Sequence, residues 1–141
     1  MDIKKFVLGT LAGGVAFFVL GFLAYAIVFE SFFANHIVPG LMKTDEQMKY
    51  YPLAMGNFAH AALIAFVFLK WADIKTFSGG LKGGAIIGFF MAAGFDLISY
   101  DTMKIMSAKG TIADIFVYTL MTAIVGGVVG LVIGLGKGDS K

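Results

Sequence analysis

The chain has no cysteine and no arginine, and only two prolines among its 141 residues. Without cysteine it has no disulfides, thiolate metal sites, iron–sulfur clusters or covalently attached haem. It also has no nucleophile elbow, no phosphate-binding loop and no dinucleotide-binding fingerprint. The lysines form no basic run, which argues against a nucleic-acid-binding surface or a polybasic lipid-binding patch. We therefore expect a protein that is not an enzyme, needs no cofactor and binds no nucleic acid.

Charged residues are scarce and apolar residues dominate. Hydrophobic residues make up 59% of the chain and charged residues 14%, whereas about half and about a quarter are usual in soluble domains. Four continuous apolar runs cover residues 6–29, 53–69, 83–100 and 112–135. A helix needs roughly 20 residues to cross the hydrocarbon layer, so the two middle runs lie near the lower limit. The sequence predicts one all-α integral membrane domain over 1–141, with four transmembrane helices in a compact bundle.

The lysines predict the orientation of these helices. Cytoplasmic loops carry an excess of lysine and arginine. Seven lysines fall on the side of the two termini: Lys4, Lys5, Lys70, Lys75, Lys82, Lys137 and Lys141. Four fall on the opposite side: Lys43, Lys49, Lys104 and Lys109. Both termini are therefore expected in the cytoplasm. The first run continues through Phe29, which is too long for a signal-peptide core, so we expect an uncleaved anchor.

Glycines recur at four-residue spacing in the half of the spans that is expected to be cytoplasmic. Small residues at this spacing let helix backbones approach closely in lipid, where packing replaces the hydrophobic effect as the driving force. The glycines expected to pack in this way are Gly9, Gly13, Gly84, Gly88, Gly126, Gly130 and Gly134. Helix packing within one chain is the favoured interpretation. A dimerisation seam is the alternative.

Polar side chains collect in the opposite half of the same spans. An ionised carboxylate that faces lipid costs a few kcal/mol, so Asp96 is expected to face the bundle interior. We predict a small, outward-facing polar vestibule lined by His60, Asp96 and Asp114. Further candidates at a similar level are Glu30, Asn57, Tyr100 and Tyr118.

This vestibule has three interpretations. Its polar groups are favoured to form hydrogen bonds between helices, each contributing about 0.6 kcal/mol. Alternatively, Asp96 exchanges protons with His60, or the vestibule passes an ion or a small solute. His36, His60 and Asp96 are weak metal-ligand candidates, because no local ligand spacing such as HExxH accompanies them.

Two local signals concern the connections between spans. Thr44-Asp45-Glu46-Gln47 is typical of a capping box that begins a short helix. It lies in the longest loop, 30–52, which we expect to be a packed connector rather than a lid. Ser78 is a candidate N-cap for the third span.

The C-terminal half of the chain combines glycine-rich stretches with two aspartates: Gly83-Gly84-Ala85, Gly94-Phe95-Asp96-Leu97, Asp114 and Gly126–Gly130. In these residues it resembles small four-span bacterial membrane proteins of unknown function. The resemblance implies a four-helix fold in a bacterial inner membrane and carries over no activity. With no soluble domain, the protein is expected to be an accessory or structural subunit that binds other membrane proteins or itself. A small channel or transporter is the alternative.

Overall fold

The computed structural model describes residues 1–135, which form long helices joined by short connections. The elements are α1 (Ile3–Gly21) with a π-helical continuation (Phe22–Val28), α2 (Glu30–Ala34), a 3₁₀ turn (Asp45–Gln47), α3 (Tyr50–Val67) with a π-helical continuation (Phe68–Ala72), α4 (Phe77–Thr102) and α5 (Ala108–Gly134). Four segments are long and apolar enough to cross a membrane: Ile3–Val28, Tyr50–Ala72, Phe77–Thr102 and Ala108–Gly134. The prediction of an all-α chain with four helices long and apolar enough to span a membrane is confirmed for the described residues. Lys137 and Lys141, which contribute to the lysine excess that predicts the orientation of the helices, lie outside the described residues.

The two middle spans are longer than their apolar runs. The helical segments that contain them have 23 and 26 residues, because a hydropathy run stops at polar residues whereas a helix continues to its cap. The hydroxyl of Thr76 accepts a hydrogen bond from the backbone N–H of Gly79 at 3.1 Å and caps α4. The prediction of Ser78 as N-cap is therefore wrong, since Ser78 lies within the first turn. Both helices are long enough to span the hydrocarbon.

The connection between α2 and α3 is fixed to the rest of the bundle. The predicted capping box at Thr44 and Gln47 is confirmed, and it encloses the 3₁₀ turn. Before it, the N–H of Val38 donates to the carbonyl of Ile105 at 2.9 Å, and the N–H of Ser107 donates to the carbonyl of His36 at 2.8 Å. These bonds hold the connection against the α4–α5 turn.

Helix α5 is the centre of the bundle. Half of the residues in its most apolar 18-residue stretch are buried, against 22% or less in the corresponding stretches of the other three spans. It packs against α1, α3 and α4, whereas α3 and α4 pack only weakly on each other. The most deeply buried apolar side chains lie on α1, α3 and its continuation, and α5: Phe17, Ile64, Phe68, Val125, Val129 and Ile133. The helices therefore form two pairs, α1 with α3 and α4 with α5. The pairs are joined because α5 also packs against α1 and α3.

The glycines predicted for packing lie against other helices of the same chain. A Cβ atom added to Gly126 would come within 2.8 Å of the Gly84 Cα, and one added to Gly130 would meet the backbone of Thr76. On α1, a Cβ at Gly9 would lie 3.3 Å from the Ile133 side chain. The close contacts concentrate where α1 begins and α5 ends, which we call the terminal end of the bundle. The opposite end, with the α2–α3 connection and the α4–α5 turn, is the loop end.

Candidate functional site

A cavity of about 400 Å³ lies between α3, α4 and α5. Its lining, which defines what we call the membrane cavity, is His60, Met91, Ala92, Phe95, Asp96, Asp114 and Tyr118. His60 lies ten residues into α3, about 15 Å along its axis at 1.5 Å per residue. Asp96 and Asp114 each lie six residues from the loop end of their helices, or about 9 Å. The cavity therefore extends from the middle of the spans into the half nearer the loop end.

The membrane cavity lies where α3 and α4 do not pack on each other. At the terminal end these two segments touch, because a Cβ at Gly83 would lie 2.9 Å from the Phe68 ring and 2.8 Å from Ile74. Farther along, α5 packs on both α3 and α4, whereas α3 and α4 make few contacts with each other, and all three helices line the cavity. Phe95 lines the cavity although 70% of its surface is exposed. In a spanning bundle, an opening between two helices at this level faces the acyl chains.

Tyr25 holds the carboxylate of Asp114 in place. Its hydroxyl donates to Asp114 Oδ1 at 2.6 Å and so joins the first span to α5. Tyr25 lies in the π-helical continuation of α1. Single π-helical turns are frequent at functional sites, and the wider turn changes the direction of the side chains that it carries. Tyr25 was not among the predicted site residues, although it places a hydroxyl within an apolar run at the level of the other polar groups.

A second hydrogen bond fixes His60. The Tyr118 hydroxyl and His60 Nδ1 are 3.1 Å apart, which connects α5 to α3. Phe17, only 1% exposed, lies beside both rings, with its centroid 6.0 Å from that of His60 and 6.2 Å from that of Tyr118. His60 and Tyr118 are therefore held by a hydrogen bond and by aromatic packing.

Asp96 differs from the other polar residues of the cavity. Its Oδ2 atom is buried and has no hydrogen-bond partner among residues 1–135. Asp114 is close enough for the two carboxyl groups to interact electrostatically. A buried polar atom without a partner costs free energy, and an ionisable group within a membrane span is expensive even at a bundle interior. Tyrosine hydroxyls thus fix Asp114 and His60, whereas the polar group nearest to Asp96 is the carboxyl of Asp114, with which it can form a hydrogen bond only when one of the two carries a proton.

The structure places the remaining candidates away from the membrane cavity. Asn57 is half-buried on α3 almost one turn before His60, and Glu30 is exposed at the start of α2. Tyr100 follows Asp96 by one turn and lines a second, more open cavity at the loop end, together with His36. His36 Nδ1 is 2.8 Å from the carbonyl oxygen of Phe32. The predicted polar half therefore divides into two separate regions.

One of the three weak metal candidates, His36, lies apart from the other two. His60 and Asp96 line the membrane cavity, whereas His36 belongs to the loop-end cavity. Within the part of the chain that the structure describes, no three histidine or carboxylate side chains are grouped closely enough to hold a metal ion. A metal centre thus has no support from the geometry.

Comparison with known proteins identified no relative. The scan against models of protein families, the search of curated proteins and the search of solved structures each gave no match to this chain. The function is therefore inferred from the membrane cavity.

The hydrogen bond between Tyr25 and Asp114 predicts a measurable loss of stability. Tyr25→Phe removes the donor and leaves a half-buried carboxylate oxygen unsatisfied, so we expect unfolding to become easier by about 1–2 kcal/mol. The measurement is an SDS titration in mixed micelles. Tyr51→Phe is the control, because Tyr51 is 65% exposed. Equal midpoints for the two variants would contradict the structural role of this bond.

Proposed function

We propose that this protein is a small channel or transporter in which Asp96 takes up and releases a transported proton. One observation carries the proposal: an Asp96 oxygen is buried at the membrane cavity without a hydrogen-bond partner among the described residues. Ionisable residues within spans mark proton relays and ion pathways, because a group this costly has little use as a packing element. Asp96 is the group on which transport would depend.

The neighbours of Asp96 support this assignment. Asp114 is held by Tyr25, and His60 is held by Tyr118, so the groups around Asp96 are kept in place by defined contacts. Asp96 itself is left available for exchange. Fixed polar groups around one exchanging carboxylate suit proton or cation binding, since they need little rearrangement when the charge changes.

We propose further that the protein is not an enzyme. The lining of the membrane cavity contains no serine, cysteine, threonine or lysine that His60 would activate as a nucleophile. Carboxylates, a histidine and a tyrosine in an apolar-walled cavity suit binding and proton exchange.

The accessory-subunit role expected from the sequence becomes the second candidate. Glycine faces available for lateral contact would support it, but Gly84 and Gly126 face each other within the chain. Exposed apolar side chains such as Phe90 are what any spanning bundle presents to lipid. Native mass spectrometry after mild extraction separates the two candidates. A defined complex with other proteins would favour the accessory role, and a monomer or homo-oligomer would favour transport.

We also propose that the protein lies in a bacterial inner membrane with both termini in the cytoplasm. The support is the lysine excess on the terminal side, seven against four, together with the resemblance of the C-terminal half. Under this orientation the loop end, and with it the nearer part of the membrane cavity, lies toward the outer surface. The accessibility of the introduced thiol in Lys43→Cys at the loop end and Lys4→Cys at the terminal end, both at exposed positions, would test this, because the chain has no cysteine of its own.

The transport proposal is tested by proton flux in proteoliposomes. A potassium diffusion potential drives protons inward, and a trapped pH-sensitive dye reports their entry. Wild-type protein is expected to raise the rate above that of protein-free vesicles. Asp96→Asn keeps the shape of the side chain but removes its titration, so the rate is expected to fall to the protein-free level.

Asp101→Asn is the matched control for this experiment. It makes the same chemical change on the same helix, but Asp101 is exposed and lies at the loop-end cavity. It is expected to conduct like wild type. If Asp96→Asn and Asp101→Asn both conducted at the wild-type rate, or if wild-type protein conducted no faster than empty vesicles, the transport proposal would be wrong.

A further inference from the structure

We propose that the membrane cavity binds a lipophilic organic monocation, which enters it from the bilayer between α3 and α4. This inference rests on the proposed function, because it assigns a substrate class to the same cavity. Three features carry it: the walls of the cavity, its charge and its opening.

The walls of the cavity are apolar and aromatic. Met91, Ala92 and Phe95 come from α4, and the rings of His60 and Tyr118 face them from α3 and α5. Apolar and aromatic linings with a few polar groups are typical of small-molecule sites, and a volume of about 400 Å³ suits a small organic molecule. Aromatic faces attract cations, and methionine adapts to irregular apolar shapes. A small hydrated inorganic ion would leave most of these walls without a partner.

The charge of the cavity is acidic and close to one unit. Its lining contains two carboxyl groups and no lysine. Asp114 already accepts a hydrogen bond from Tyr25, whereas Asp96 Oδ2 has no partner within residues 1–135. Two adjacent carboxylates in an apolar site do not both stay ionised without a counter-charge, because like charges disfavour each other's ionised form. Two ionised carboxylates carry two negative charges, and one bound proton or one bound monocation reduces this to one, so the proton and the monocation compete for the same pair.

The opening of the cavity selects for lipophilic ligands. It lies between α3 and α4, where the rim residue Phe95 is 70% exposed. Toward the terminal end, Gly80 and Gly84 bring α4 against Gly126 of α5, and Phe68 contacts Gly83. A ligand that dissolves in the acyl chains thus has a direct route to Asp96.

Fluorescence titration with ethidium, an aromatic monocation that brightens on leaving water, tests this inference. Purified full-length protein in a non-ionic detergent is titrated with ethidium, with uncharged phenanthridine and with an anionic anilinonaphthalene sulfonate. Saturable binding of ethidium and none of the anion is expected. Asp96→Asn should weaken ethidium binding by about tenfold or more, because the buried counter-charge is lost.

Two matched pairs of variants separate site binding from partition into the micelle. Asp101→Asn and Phe90→Ala alter an exposed acid and a lipid-facing ring of α4 outside the cavity lining, and should bind ethidium like wild type. Phe95→Ala, at the rim, should weaken ethidium binding. The inference of a monocation site would be wrong if phenanthridine bound as tightly as ethidium. It would also be wrong if the Asp96→Asn and Asp101→Asn variants bound ethidium equally tightly.

The outcomes also separate this inference from the transport proposal. Proton flux that depends on Asp96, without ethidium binding, overturns the monocation substrate and leaves transport standing. Ethidium binding that depends on Asp96, without proton flux in vesicles, overturns transport and leaves a binding site.

Discussion

Replacing Gly126 by alanine is expected to lower the free energy of unfolding by about 3 kcal/mol, the upper part of the range for overpacked sites. The added methyl group would meet backbone atoms, with the Gly84 Cα at 2.8 Å and the Gly84 nitrogen at 3.0 Å. Backbone atoms of a packed helix have no alternative rotamer, so α4 and α5 must separate along their contact. An SDS titration in mixed micelles, followed by Trp71 fluorescence, would measure the change.

Gly94→Ala is the control for this prediction. Gly94 also lies within a transmembrane helix, but a Cβ atom there would have nothing within 4 Å. Since alanine favours helices over glycine by about 1 kcal/mol, this variant should unfold no more easily than wild type. A Gly126→Ala variant as stable as Gly94→Ala would show that α4 and α5 do not pack as closely as the structure places them.

Phe17→Ala is expected to destabilise the protein by about 2–3 kcal/mol, less than the roughly 3–5 kcal/mol usual in water-soluble cores, because only the cavity and the lost contacts contribute within lipid. Phe17 is 1% exposed and contacts the rings of His60 and Tyr118. Its loss would leave a void beneath the membrane cavity, and in lipid the lost contacts are not offset by any hydrophobic driving force. The same SDS titration would measure the loss.

Phe90→Ala provides the comparison for Phe17→Ala. Phe90 lies on α4 with 70% of its surface exposed, so the lost contacts would be with lipid or detergent and the midpoint should change little. If the two variants unfolded at the same SDS fraction, Phe17 would not be a core residue. If the NMR resonances of the His60 ring shifted in Phe17→Ala but not in Phe90→Ala, this would further show that the Phe17 ring positions His60.

The four spans were predictable because a bilayer imposes a length and a polarity on any helix that crosses it. Their ends were not. Thr76 begins α4 through a hydroxyl bond to Gly79, and such a cap lies outside the apolar run that a hydropathy pattern detects. The glycine spacing indicated close packing, but only the structure shows that Gly84 meets Gly126 of the same chain.

The site was predictable to a similar degree. Asp96, Asp114 and His60 were identified because ionisable groups in apolar runs avoid lipid, and the structure places all three at one cavity. Tyr25 was missed because its partner lies 89 residues away, and no local pattern encodes that pairing. The difference between Asp114, which has a donor, and Asp96 Oδ2, which has none among the described residues, likewise depends on tertiary contacts.

The central position of α5 has a consequence for how the protein is made. Helices α1 and α3 are synthesised before α5, yet Gly9 and Gly13 of α1 pack against Ile133 and Val129 of α5. Until α5 is made, the α1–α3 pair therefore has an unfilled groove, and the Tyr25 hydroxyl lacks Asp114 as its acceptor. Membrane helices insert before they assemble. The membrane cavity is thus completed only when α5 joins the helices that precede it in the chain.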